Sequence, residues 1–104
     1  MDERRYKLRY LPLFEQDLNE IIDYIAFDLR NPEAAERLLD DIQQAVLKRL
    51  DNPAAFEAFH SAKERRWPYY RISVRHFHVF YVIMDDVMEV RRVMYAGRNW
   101  KKKL

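Results

Sequence analysis

The sequence predicts an α+β fold in which an N-terminal strand and a two-helix antiparallel hairpin pack on one face of an antiparallel sheet, in the order β-α-α-β-β-β. Three observations predict it. Apolar residues recur at spacings of three and four from Phe14 to Leu50, apolar runs of strand type fill Tyr69 to Ala96, and prolines or paired acidic residues punctuate the joints. With 104 residues and no break in composition, residues 1–104 read as a single domain.

The first strand is "YKLRY", where Tyr6, Leu8 and Tyr10 share one face. Pro12 suits the first turn of a helix, because its missing N–H would be unpaired there in any case. From it Phe14, Leu18, Ile21, Ile22, Ile25 and Leu29 form one stripe, with Glu15, Asp17, Glu20 and Asp23 opposite. Asn31-Pro32 stops this helix and caps the next, whose first turn holds Glu33 beside the positive end of the dipole. The second stripe is Ala35, Leu38, Leu39, Ile42, Val46 and Leu50, and "DNP" ends it after Lys48 and Arg49. So short a link between the helices implies a hairpin. Residues 53–68 hold two prolines and no long apolar period, which predicts a loop with one helical turn near Ala54 to Phe59. Then "YYRISVR", "FHVFYVIM" and "VMEVRRVMYA" read as a meander of three strands, turning at "RH" and at Asp85-Asp86. The middle strand is apolar on both faces, as expected of one covered on both sides.

Composition narrows the function classes. At 49% hydrophobic and 35% charged residues, interleaved throughout, the chain reads as soluble and globular. It has no cysteine, which excludes disulfides and thiolate metal sites and permits a reducing, cytoplasmic setting. "MDERRYKLRY" lacks the apolar centre of a signal peptide, and no apolar run is long enough to span a bilayer, so no membrane partner is expected. No carboxylate and histidine cluster stands at metal-ligand spacing, neither Ser61 nor Ser73 has the context of a nucleophile elbow, and no cofactor is expected. Charge is segregated. Residues 1–62 hold eight Lys/Arg against thirteen Asp/Glu, a balance of −5, while residues 63–104 hold eleven against four, a balance of +7. Such a half favours an anionic partner.

Alternation in "YYRISVR" sets Tyr70, Ile72 and Val74 on one face and Arg71, Ser73 and Arg75 on the other, so Arg71 and Arg75 are expected to point away from the helices. His78 opens the next strand, and Arg91-Arg92 breaks alternation in the last, which predicts a bulge or a charge on the open face. Gly97, the only glycine, permits a positive φ that would re-aim Arg98 across the sheet. Trp100 fits a cap over the edge of the core or a surface for stacking on bases. Lys101, Lys102 and Lys103 read as a solubilising, mobile end. Singly, each of these residues has an ordinary structural explanation; together they gather cations on one sheet face.

The ordered combination of "FEQDLNEIIDYIAFDLRNPEAAERLLDDIQQAVLKRLDNP", "YYRISVRHFHVFYVIMDD" and "VRRVMYAGRNW" resembles the RelE/ParE superfamily of toxins from type II toxin-antitoxin systems, over nearly the whole chain. The resemblance implies a small toxin with a concave sheet, neutralised by a cognate antitoxin protein. It implies two mechanisms. RelE-like members cut messenger RNA on the ribosome without a metal, and this is the reading preferred from sequence; ParE-like members inhibit DNA gyrase without nuclease activity. For the endoribonuclease, Arg71, His78 and Arg98 fall on the family's basic positions and are the candidate catalytic residues. Arg65, Arg66, Arg75, Arg91, Arg92 and Trp100 are the candidate nucleic-acid contacts. Two positions depart from the nuclease pattern: Ser73 replaces a lysine, and Leu104 lies where a tyrosine would serve as acid or base. A plain nucleic-acid-binding module is a third reading, against which both long helices precede the meander.

Overall fold

The computed structural model describes residues 5–59, 66–97 and 99–104. Four strands, β1 (Lys7–Tyr10), β2 (Tyr70–Val74), β3 (Phe77–Met84) and β4 (Val87–Tyr95), form one sheet in the order β1-β4-β3-β2. Helices α1 (Pro12–Asp23) and α2 (Pro32–Leu50) lie between β1 and β2 in the chain, and a short α3 (Trp100–Lys103) follows β4. The α+β architecture and the order of elements are those expected.

One pairing differs from the expected antiparallel sheet: β1 runs parallel to β4, with Lys7 opposite Val87 and Tyr10 opposite Val90. Parallel neighbours need a long connection, and the helical hairpin together with β2 and β3 supplies it. The meander itself is antiparallel, through β2 with β3 and β3 with β4. Its register shifts between Phe80, which faces Arg92, and Tyr81, which faces Val90, so that Arg91 is the extra residue of a bulge.

α1 continues into a π-helical turn, Tyr24–Asp28, instead of running as a uniform α-helix to Leu29. Arg30 then takes φ 52°, and Asn31 N–H returns to the Ile25 carbonyl at 3.0 Å, which closes the helix end. Asn31 caps α2 as expected, its Oδ1 accepting from Ala34 N–H at 3.1 Å. After α2 the helical turn is a 3₁₀ turn at Pro53–Ala55, slightly ahead of its predicted place.

Both helical stripes pack on one face of the sheet except at Leu29, expected in the first stripe but exposed where the π-helical turn ends. Phe14 of α1 and Leu38, Ile42 and Val46 of α2 pack with Ile72, Val74, Val79, Tyr81, Met88, Val90 and Val93. β3 is sealed on both faces, with Val79, Phe80, Tyr81 and Val82 fully buried. Its other face meets a second cluster, in which Tyr69, Phe80, Val82, Met94 and Leu104 pack with Phe59, Trp67, Met84 and Trp100. This aromatic layer only partly covers the face away from the helices, called the open face below.

Candidate functional site on the open face

β2 alternates as expected: Ile72 and Val74 are buried toward the helices, and Arg71 and Ser73 are exposed. The β2–β3 register sets His78 opposite Ser73 and Phe80 opposite Arg71, which brings all four side chains to the open face. Ser73 Oγ and His78 Nδ1 are 3.2 Å apart. The imidazole meets the Trp100 ring edge-on, with centroids 5.3 Å apart, and the Phe80 ring at 6.0 Å. Partial burial, and then the Arg71 charge, lower the pKa of His78, so the ring favours its neutral form. In the tautomer carrying its proton on Nε2, Nδ1 accepts from the Ser73 hydroxyl.

Trp100 is the hub of the face. Its ring packs on Phe59 at 5.8 Å and on Phe80 at 5.1 Å, while Arg71 Cζ lies 5.4 Å and Lys101 Nζ 5.6 Å from its centroid. Leu104, 3% exposed, belongs to the same cluster, and its N–H donates to the Trp100 carbonyl at 2.9 Å. The end of the chain is therefore a packed helical turn, where a mobile lysine tail was expected. An apolar anchor after the lysines is what holds it.

The other candidates are dispersed. Arg75 is not on the open face beside Arg71. It starts the β2–β3 turn with φ 54°, which breaks the alternation, and its Nε donates to Asp41 of α2 at 2.5 Å. Arg92 reaches α1 and forms a two-point pair with Asp17, Nε to Oδ2 at 2.7 Å and Nη2 to Oδ1 at 3.0 Å; that bond is the main reason its pKa is raised. Arg91 pairs with Glu89 at 2.9 Å, and its Cζ lies 6.0 Å from the Tyr69 ring. Arg66 is exposed, its Cζ 5.1 Å from the Trp67 ring. Arg65 and Arg98 lie outside the described residues. Gly97 does not take the positive φ expected of it. Close approach explains it instead: a Cβ there would stand 2.7 Å from Cε1 of Tyr95.

Two residues that matter to the site were not singled out in the sequence. Glu89 is 4% exposed and sits between Arg91 and Arg9, whose Nη2 is 2.6 Å away. An acid inside the apolar run "VMEVRRV" is the signal that marks it, since a buried carboxylate needs a cation. Arg49, read only as a helix-end cation, donates from Nη1 to the Tyr81 hydroxyl at 2.9 Å and to the Arg71 carbonyl at 3.3 Å. Its guanidinium also lies 3.5 Å from the Phe56 centroid. The tyrosine in an otherwise apolar central strand was the available clue, because a buried phenol demands a partner.

The face thus offers a guanidinium, a neutral imidazole and an indole in contact, a set suited to binding an anion. Among the described residues no three His, Asp or Glu side chains gather as a metal site.

Comparison with known proteins places this fold in a family. The model of the ParE toxin of type II toxin-antitoxin system, parDE, matches residues 8–100. The chain belongs to the ParE toxin family. Among solved structures, the ParE-family chain is similar to one from the chromosomal ParDE toxin-antitoxin system of P. aeruginosa, with TM-score 0.68 and 19% identity over 88% of this chain and 97% of that one. It is also similar to a chain of the E. coli DinJ-YafQ toxin-antitoxin complex, with TM-score 0.55 and 7% identity over 89% and 94% of the two chains. At such identities these likenesses show the shared fold. No curated protein matches the ParE-family chain by sequence.

Proposed function

We propose that this toxin acts in the cytoplasm by binding and inhibiting DNA gyrase, and that it does not cut messenger RNA. The surroundings of His78 carry the proposal. Cleavage by 2′-OH attack calls for a base to take one proton and an acid to give another. The groups described around His78 are Ser73, Phe80, Trp100 and Arg71, none of them a carboxylate, and its lowered pKa leaves little imidazolium to act as acid. Leu104, buried under Trp100, supplies neither. Membership in the ParE family supports the same direction.

The solved relatives come from toxin-antitoxin systems, and we extend that arrangement to this chain. A cognate antitoxin, disordered in part when free, folds over the cationic open face and neutralises it.

The test is a gyrase supercoiling assay beside primer extension on translated messages, with the same toxin preparation. Supercoiling should be blocked while messages stay intact. Cleaved messages with unimpaired supercoiling would replace this reading by the ribosome-dependent endoribonuclease, with Arg71 and His78 at its centre.

A further inference from the structure

Several of the described cations hold a carboxylate, Lys7 with Asp86 among them. Arg9 and Arg91 share Glu89, Arg75 holds Asp41, and Arg92 holds Asp17. Arg66, Arg71 and Lys101 have no carboxylate partner among the described residues, and each instead lies against an aromatic ring of the open-face cluster. Arg71 and Lys101 even share one indole, at 5.4 and 5.6 Å from its centroid, with no acid described between them. Two like charges on one ring repel, and the aromatic faces that hold them limit how far they can swing away.

We propose that Arg66, Arg71 and Lys101 form a binding site for the phosphate backbone of duplex DNA, by which the toxin grips the DNA that gyrase is working on. The inference rests on the gyrase reading and adds the nucleic acid as a second contact. Phosphate is the fitting ligand because it supplies the missing negative charge, and a guanidinium lying against a ring still has N–H groups directed outward. Base stacking fits poorly. The Trp100 ring is already engaged by Phe59, Phe80, His78, Arg71 and Lys101, which leaves it little room for a base. Burial first, and the Arg71 charge second, lower the pKa of His78, and the neutral imidazole adds no negative charge that would offset the two cations. Recognition of backbone alone predicts binding without sequence preference and with steep dependence on salt.

The experiment is fluorescence anisotropy of the antitoxin-free toxin with a labelled duplex of about 20 base pairs, from about 50 to about 200 mM salt. Three phosphate contacts should cost about 40-fold in affinity across that range, and the triple change R66A/R71A/K101A should flatten the salt slope by about three. Arg37→Ala, on the exposed side of α2, should leave binding unchanged, and circular dichroism verifies that each variant is folded. Arg71→Lys, which keeps the charge, should keep the slope. Absence of duplex binding, a triple variant with the wild-type slope, or tighter binding to single-stranded or RNA probes would overturn the proposal. The supercoiling assay reports separately: inhibition by a toxin that ignores DNA sinks the phosphate site alone, and duplex binding without inhibition sinks the gyrase reading alone.

Discussion

Arg49 of α2 donates to the Tyr81 hydroxyl at 2.9 Å, and that hydroxyl in turn donates to the Pro53 carbonyl at 2.8 Å. The relay joins the end of the helical hairpin, the loop behind it and the central strand. Because Arg49 also reaches the Arg71 carbonyl, it braces the edge strand that presents Arg71.

Tyr81→Phe keeps the ring and removes the relay, leaving the Pro53 carbonyl without its donor. The expected cost is about 1–3 kcal/mol, or several degrees in Tm for a domain of this size. Thermal unfolding followed by circular dichroism measures it, and an unchanged Tm would show that water replaces the phenol.

The pairs Asp17–Arg92 and Asp41–Arg75 should differ in worth. The first is two-pointed with side chains 12% and 26% exposed, and the second is single-pointed at 42% and 52%. Asp17 also accepts from Val93 N–H at 3.2 Å. Asp17→Ala is expected to cost about 2–3 kcal/mol and Asp41→Ala under about 1 kcal/mol. Urea denaturation of the two variants gives the comparison, and equal losses would refute the ranking.

His78 makes stability depend on pH. Its folded-state pKa lies below the ordinary value of 6.5, through burial first and the Arg71 charge second, so the unfolded chain binds the proton more readily. Stability from this group is therefore fully present above pH 6.5 and is lost as pH falls through the folded pKa. His78→Gln should flatten the stability profile below that pH. Arg71→Ala should move the imidazole pKa upward in an NMR titration, and a downward move would contradict the charge assignment.

Gly97→Ala sets two effects against each other. The new Cβ would press on the Tyr95 ring, which is half exposed and can swing aside, so the loss should stay near or under about 1 kcal/mol. In a Tyr95→Ala background the ring is gone and φ at Gly97 is not positive. There the same change should stabilise by about 0.4–1 kcal/mol through the unfolded chain. A double-mutant cycle in urea reads the sign change.

Residues whose environment is set by their own element were legible in the sequence. The stripe from Ala35 to Val46, the Asn31 cap and the alternation around Ile72 all follow from local period, and burial reproduces them. Arg71, His78 and Trp100 were selected for charge and position, and they do come together. Arg75 departs from the expected alternation because the strand ends at Val74 and a turn begins one residue earlier than the pattern implies. The pairings of Arg92 with Asp17 and of Glu89 with Arg9 span 75 and 80 residues, and no local rule reports a partner at that distance. The packed turn at residues 100–104 escapes a local rule because three lysines favour solvent and the single apolar Leu104 after them anchors only through residues distant in sequence.

The parallel pairing of β1 with β4 has a temporal side. Lys7 meets Val87 and Arg9 meets Glu89, so the first strand must wait for β4, the last described strand, before either ladder or ion pair can form. During synthesis the helical hairpin emerges early, while β3, the strand that its stripe and the aromatic cluster both cover, is still to be made. Contacts of such long sequence separation form slowly. A nascent chain therefore has no finished open face until β4 and α3 have left the ribosome. The ladder and the ion pair that join β1 to β4 are thus among the last features of the described sheet to form.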